Sequence, residues 1–238
     1  MNIALIGYGK MGKAIEEIAL QRGHTVPLKI DIDNKDAFNP ENLRNCEAAI
    51  EFTGPLSAKD NILSCLKAGI PVISGSTGWL EHWNQVELYC KERNGSLVYA
   101  SNFSVGMNIF FELNIKLAKL MQQRNDYDVC IEETHHTQKK DAPSGSAITL
   151  AEQVLHEISR KTEWVNHASD DPAHLAVFSK RNDPVPGTHR VIYHSANDDI
   201  EITHTANNRL GFALGAVIAA EYIHDKKGIF TMKDILGL

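Results

Sequence analysis

Cysteine is scarce and unpaired in this chain. Cys46, Cys65, Cys90 and Cys130 are widely and irregularly spaced, and no two form a Cys-x-x-Cys pair. That pattern excludes a disulfide framework and a thiolate zinc site, and it suits free thiols in a reducing compartment. Basic surplus is lacking too: 24 Lys and Arg stand against 30 Asp and Glu, for a formal net charge of −6. A chain so balanced has little with which to neutralise a phosphate backbone, so nucleic acid is not expected as its partner. No apolar run approaches the ~20 residues that span a bilayer, and Met1-Asn2-Ile3-Ala4-Leu5-Ile6-Gly7 lacks the basic region of a secretory signal. The expectation is a cytoplasmic protein with no membrane partner. Internal repeats and low-complexity segments are absent as well. What remains is ordinary globular composition, 43% hydrophobic and 23% charged over 238 residues, enough for one large or two modest domains.

The first 31 residues carry a mechanism. A short apolar run, 3–6, leads directly into Gly7-Tyr8-Gly9-Lys10-Met11-Gly12. Met11, Ala14, Ile15, Ile18 and Ala19 then recur at helical spacing as far as Gly23, and a second strand-like run, 26–30, ends at Asp31. Strand, Gly-x-Gly-x-x-Gly, helix, strand and acid in that order form the dinucleotide-binding fingerprint. Gly7 is expected to make the tight turn, Gly9 to let backbone approach a pyrophosphate, and Gly12 to let the helix lie close to the sheet. Asp31 is positioned to accept the adenosine ribose hydroxyls, with Asp33 as its rival. A 2′-phosphate would meet like charge there, only partly offset by Lys29 or Lys35. NADH is therefore expected to serve at least as well as NADPH.

Strands and helices of about a dozen residues keep alternating. Strands are predicted over 48–52, 71–74 and 97–100, and helices over 57–68 and 80–93, which implies a parallel sheet covered on both faces. Ligands of such sheets sit beyond the carboxyl ends of the strands. That directs attention to Thr53-Gly54-Pro55, to Gly75-Ser76-Thr77-Gly78 and to Ser101-Asn102-Phe103-Ser104. The last two are expected to line the nicotinamide end. After Ser104 the pattern changes. A helix over 107–121 should show Ile109, Phe110, Leu113, Leu117 and Leu120 on one apolar face. An alternating strand over 127–133, a helix over 144–159 and strands over 175–178, 190–194 and 199–204 follow. The expected fold is therefore α/β, a Rossmann-like doubly wound parallel sheet followed by an α+β domain with a mostly antiparallel sheet. Residues 1–104, completed by a C-terminal helical stretch over 210–238, would form the dinucleotide domain, and residues 105–209 the domain for substrate binding and oligomerisation.

Between the strand over 127–133 and the next helix lies the densest polar stretch, Glu133-Thr134-His135-His136-Thr137-Gln138-Lys139-Lys140-Asp141-Ala142-Pro143-Ser144-Gly145-Ser146-Ala147. Adjacent histidines at a strand end point in opposite directions, so His135 and His136 should do different work. Ser144-Gly145-Ser146 at a helix start presents N–H groups and hydroxyls, and with Lys139 and Lys140 nearby it suits a carboxylate or phosphate. Asp141 is expected to shape the loop. No carboxylate or third histidine stands at ligand-like spacing from the histidine pair, so no metal is expected. A lone histidine is usually structural and a Lys-Lys pair usually solvated; together, behind a dinucleotide fingerprint, they point to reduction of a small acid.

This motif resembles the signature of the 4-hydroxy-tetrahydrodipicolinate reductases, the dihydrodipicolinate reductases of lysine and diaminopimelate synthesis. Gly7 to Gly12, Gly75 to Gly78, and Ser101-Asn102-Phe103-Ser104-Val105-Gly106 are similar to that family's nucleotide loops, and the Phe212-Ala213-Leu214-Gly215-Ala216 stretch and the Gly228-Ile229-Phe230 tail to its C-terminal end. The resemblance implies His135 as proton donor and acceptor, Lys139 as a second catalytic proton donor, and His136, Gly145 and Ser146 as the binders of a cyclic dicarboxylate. It also implies a homotetramer. Thr137 stands where arginine is common and Ser146 where threonine is usual. Two other readings remain: a related two-domain dehydrogenase, which for a semialdehyde substrate would need an activated thiol, and a dinucleotide sensor without catalysis.

Overall fold

The computed structural model describes all 238 residues, as two compact units. The first comprises Met1–Val105 and Arg209–Leu238, the second Gly106–Asn208.

In the first unit β1 (Asn2–Ile6), α1 (Lys10–Gln21), β2 (Thr25–Ile30), α2 (Pro40–Leu43), β3 (Ala48–Glu51), α3 (Pro55–Ala68), β4 (Val72–Ser74), α4 (Trp83–Glu92) and β5 (Ser96–Tyr99) follow one another. The expected helix over 80–93 opens as a 3-10 turn, Leu80–His82, before α4 begins. The period of two in β1 explains the layering. Ile3 and Leu5 face one core with Ile15 and Ile18 of α1, and Ala4 and Ile6 face the other with Ile62 and Val86. Both sets are at most 8% exposed, and each large aliphatic side chain so buried contributes about 1.5–3 kcal/mol.

In the second unit α5 (Val105–Met121) enters, followed by β6 (Asp128–His135), α6 (Gly145–Glu157), β7 (Glu163–Val165), β8 (His174–Arg181), β9 (Gly187–His194) and β10 (Asp199–Ala206). The chain then returns to the first unit with α7 (Leu210–Ile223), β11 (Gly228–Phe230) and α8 (Met232–Leu236). Ala213, Ala216, Val217 and Ala220 of α7 pack into the core that α1 covers. The six strands of the first sheet run in the order β11-β5-β4-β3-β1-β2 with every pairing parallel. β11 had been read only as tail. The second sheet runs β10-β9-β6-β8-β7; its two longest ladders, β10 with β9 and β9 with β6, are antiparallel, and the shorter ones are parallel.

One predicted face is corrected. Helix α5 buries Met107, Phe110, Asn114, Ala118 and Met121, whereas Ile109, Leu113 and Leu120 are exposed. The inward stripe tolerates Asn114 because its amide donates to the Leu150 carbonyl at 3.1 Å and to the Gln153 side chain at 2.9 Å. Those two bonds offset the cost of burying the amide nitrogen, while the side-chain oxygen has no partner.

Candidate active site

The parallel sheet builds a cleft of about 610 Å³ at the carboxyl ends of β1, β2 and β3, lined by Gly7, Gly9, Asp31, Lys35, Thr53 and Asn61 among others. Gly7 turns the chain at φ +97°, and a side chain there would sit 2.2 Å from the Phe52 carbonyl oxygen. At Gly12 a Cβ would meet the Gly7 carbonyl at 2.4 Å, so the helix can close down on the loop only without one. No side chain caps the start of α1, which leaves its first-turn N–H groups for an anion. Lys10 is exposed at that helix start, while Tyr8 and Met11 pack against the core. These features fit a dinucleotide pyrophosphate.

Asp31 closes the cleft at β2 and caps the 3-10 turn Ile32–Ala37, its carboxylate accepting from the Ile32 N–H at 2.8 Å. Asp33 lies outside the lining residues. Of the two lysines expected to soften Asp31, Lys29 pairs with Glu16 at 2.5 Å, and Glu16 also accepts from the Tyr8 hydroxyl. Lys35 alone of the two lines the cleft.

The next loops are held from beneath. Glu51, fully buried at the end of β3, accepts from the Thr53 N–H (2.9 Å), the Ser76 hydroxyl (2.9 Å), the Ser74 hydroxyl (2.7 Å) and the Thr53 hydroxyl. The Trp79 indole donates to the Ser76 carbonyl at 2.8 Å. The Ser76 side chain, expected at the nicotinamide end, is thus committed to the scaffold, while Thr77 is exposed and Gly75 lies against the Phe52 ring. Phe103 is likewise a core residue, 1% exposed with its ring 5.8 Å from that of Phe52. Ser101 is exposed, and Asn102 accepts the Ser104 N–H at 2.9 Å.

The second constellation lies within the second unit. Strand β6 alternates, so Val129, Ile131, Glu133 and His135 all point inward. Glu133 is fully buried. Its Oε1 accepts from the Ser144 N–H at 3.1 Å and lies 3.4 Å from Arg181, and its Oε2 lies 3.2 Å from His135 Nδ1 and 3.8 Å from His189 Nε2. The carboxylate stands off the ring N–H direction, so the His135 contact is bent. Burial alone would raise the Glu133 pKa; the neighbouring His135 imidazole and the Ser144 bond outweigh it and hold the carboxyl well below the usual range. Burial, with His135 nearby, lowers His189 to about 4. His136 points the other way and is half-buried. Lys139 Nζ is held by both Asp141 oxygens at 2.9 and 2.8 Å. Arg181, at the end of β8, donates to the backbone carbonyls of Lys139 (3.3 Å) and Asp141 (2.6 Å), which fastens that loop over Glu133.

Three expectations change here. The Ser144 hydroxyl caps α6 through the Ala147 N–H (3.2 Å) and meets His189 Nε2 (3.2 Å), and only 3% of the residue is exposed. The anion cradle is therefore reduced to Gly145, which is exposed, and Ser146, which is half-buried. Thr137 binds Asp183 through both its N–H and its hydroxyl, which anchors it to the β8–β9 connection. The spacing argument against a metal also fails, because sheet register brings Glu133 and His189 to within 4.8 Å of His135. Arg181 on the same carboxylate already supplies a countercharge. Glu51, Glu133, Arg181 and His189 were given no role from sequence. For Glu133 the signal was present, since a charge on the inward parity of an alternating strand needs a partner.

Comparison with known proteins settles the family. The model for "Dihydrodipicolinate reductase, N-terminus" matches residues 1–103 and that for "Dihydrodipicolinate reductase, C-terminus" matches residues 106–236. The chain belongs to the dihydrodipicolinate reductase family. A 4-hydroxy-tetrahydrodipicolinate reductase of Christiangramia forsetii is 52% identical over 239 residues, covering 100% of this chain and 98% of that one. Its counterpart from Neisseria meningitidis is 30% identical over 94% of this chain and 84% of its own. Among solved structures, dipicolinate-bound dihydrodipicolinate reductase from Paenisporosarcina sp. TG-14 shares the fold, with a TM-score of 0.76 at 20% identity and 97% of each chain covered. In this chain all four cysteines are free, and burial pushes each thiol pKa up. No thiol is activated as a semialdehyde dehydrogenase would require.

Proposed function

We propose that this chain reduces 4-hydroxy-tetrahydrodipicolinate to tetrahydrodipicolinate with loss of water, using NADH or NADPH, in lysine and diaminopimelate synthesis. The observation that carries the reading is the buried Glu133–His135 pair beside Lys139, at the foot of the α6 N-terminus, in a chain of this family.

The bound nicotinamide cofactor supplies a hydride to the ring carbon that loses the hydroxyl. Negative charge then spreads through the conjugated imine, and a proton must meet it. His135 supplies that proton, and Lys139, held by Asp141, is the second donor. His136 and the N–H groups of Gly145 and Ser146 bind the substrate carboxylates, a task for which a helix start is suited. In the first unit Gly7, Tyr8, Gly9, Lys10, Met11 and Gly12 cradle the pyrophosphate and Asp31 the ribose. The backbone of Gly75 to Thr77 and of Ser101 to Ser104 lines the nicotinamide end. NADH serves at least as well as NADPH, because Asp31 faces the ribose position and Lys29 is occupied by Glu16. The working form is a cytoplasmic homotetramer.

The test generates the unstable substrate enzymatically in situ and follows nicotinamide absorbance with each cofactor. Turnover that stops when pyridine-2,6-dicarboxylate is added is the expected result. Absence of turnover with both cofactors, in a chain that still binds NADH, would overturn the reading. Sedimentation of the purified chain tests the tetramer.

A further inference from the structure

We propose that Glu133 is the positioning residue of the proton donor: its buried carboxylate holds the proton on His135 Nδ1 and leaves Nε2 as the nitrogen that exchanges protons with the substrate. The proposal rests on His135 being the donor in the reading above. It assigns a task to a carboxylate, an arginine and a second histidine that the reading leaves idle.

Geometry supports it from three sides. Glu133 Oε2 is 3.2 Å from Nδ1, bent off the N–H direction, and neither atom is hydrogen-bonded to any other group, so Oε2 is the one acceptor within reach of that nitrogen. A fully buried carboxylate costs several kcal/mol unless it is paired, and Glu133 divides its pairing. Oε1 is taken by the Ser144 N–H and by Arg181, which leaves Oε2 facing the imidazole. On the far side of the ring, Gly187 has no side chain, and a Cβ built there would come within 3.0 Å of His135 Nε2. The imidazole is thus confined between a carboxylate at one nitrogen and bare backbone at the other. The His189 ring stands edge-on at a centroid distance of 5.1 Å. Burial keeps His189 neutral near pH 7, so it fills the space beside His135 without adding a competing positive charge. The charged and titratable groups around the imidazole are then Glu133 from β6, Arg181 from β8, His189 from β9, His204 from β10, and Lys139 from the loop. Asp141, the other anion nearby, is spent on Lys139, so Glu133 is the only anion in contact with the ring.

A carboxylate behind a catalytic histidine fixes its tautomer and stabilises the imidazolium. Where such a carboxylate is neutralised in a comparable triad, turnover falls by orders of magnitude. Two measurements test the assignment in the full-length protein. The first is read on the wild-type protein: with ¹⁵N-histidine labelling, and His135 assigned through His135→Gln, the neutral imidazole should carry its proton on Nδ1 and leave Nε2 bare. A His135 that carries its neutral-state proton on Nε2 would overturn the proposal. The second compares Glu133→Gln with Glu133→Asp. The glutamine should lower kcat by roughly 10²-fold, leave the KM for NADH within about twofold, and move the alkaline limb of kcat to lower pH. The aspartate should recover part of both effects. A folded Glu133→Gln enzyme with wild-type kcat and pH profile would also overturn it. If the glutamine variant does not fold, the tautomer measured in the wild-type protein decides alone. That measurement is made on resting protein, so it stays interpretable even if the substrate assignment fails.

Discussion

The neutral, buried His189 should make the protein lose stability in mild acid, before its carboxylates begin to titrate. In the unfolded chain this histidine titrates near 6.5, and in the folded protein burial lowers it to about 4. Between those values the unfolded state binds a proton that the folded state refuses. The stability associated with His189 is therefore complete above about pH 6.5 and is lost as pH falls toward 4. At about pH 5 the loss amounts to roughly 2 kcal/mol, from the ratio of proton binding in the two states. That is a few degrees in melting temperature for a chain of this size. Glu133 acts in the same direction but later: its folded pKa is depressed, so its contribution is lost only below the ordinary glutamate value of about 4.3. The window between pH 7.5 and 5 thus isolates histidine. Urea unfolding of wild type and His189→Gln at both ends of that window is the assay. The variant should start less stable at pH 7.5, having lost the Ser144 contact, yet close on the wild type by about 2 kcal/mol at pH 5. Equal losses in the two proteins would refute the neutral, buried histidine.

Four further outcomes are expected. His135→Ala and Lys139→Ala should each lower kcat by roughly 10²–10⁴-fold with NADH binding intact; near-normal turnover in both would remove them from the chemistry. Asp31→Ala should raise the NADPH-to-NADH ratio of kcat/KM by about tenfold, equivalent to about 1.4 kcal/mol, and Lys35→Ala should lower it; an unchanged ratio in both would place the ribose elsewhere. Glu51→Ala should destabilise the dinucleotide unit by about 3 kcal/mol, because it strands the buried Ser74 and Ser76 hydroxyls, measurable as an earlier urea transition. Thr137→Ala should leave the substrate KM within about twofold, since its polar groups are spent on Asp183; a large rise in KM would return the residue to the substrate site.

Much of the first unit was legible because its signals are local. Period two in 3–6, the glycine triplet and the acid at the end of β2 all fall within 31 consecutive residues, and each reports on its own neighbours. The loops beyond β4 and β5 follow from topology, but which of their side chains turn inward does not. Ser76 and Phe103 turn inward because Glu51 needs donors and Phe52 needs a packing partner. Helix α5 deceived for a related reason: its buried stripe contains Asn114, whose partners lie in α6, nearly forty residues away. Arg181 and His189 were invisible to spacing. They reach Glu133 only because β8 and β9 flank β6, with Arg181 paired to His135 and His189 to Glu133 in the ladders. Register, which no short motif encodes, assembles that half of the site.

The two buried carboxylates show how partner chemistry separates scaffold from reactive apparatus. Glu51 and Glu133 are both inaccessible and both sit at or near the carboxyl end of a strand, beneath loops of the candidate site. Glu51 is met by hydroxyls and one amide, all neutral donors that hold their protons throughout the working pH range. Such a carboxylate can fix the positions of Thr53, Ser74 and Ser76, but it has nothing to exchange. Glu133 is met by an amide, a permanently charged guanidinium and an imidazole. The first two hold the anion in place, and only the third can gain or lose a proton near neutrality. The same buried charge thus meets only fixed protons in one unit and a titratable ring in the other. That difference resides in His135, two residues along β6 from the carboxylate, and in Arg181, which the parallel partner β8 brings to a carboxylate otherwise like Glu51.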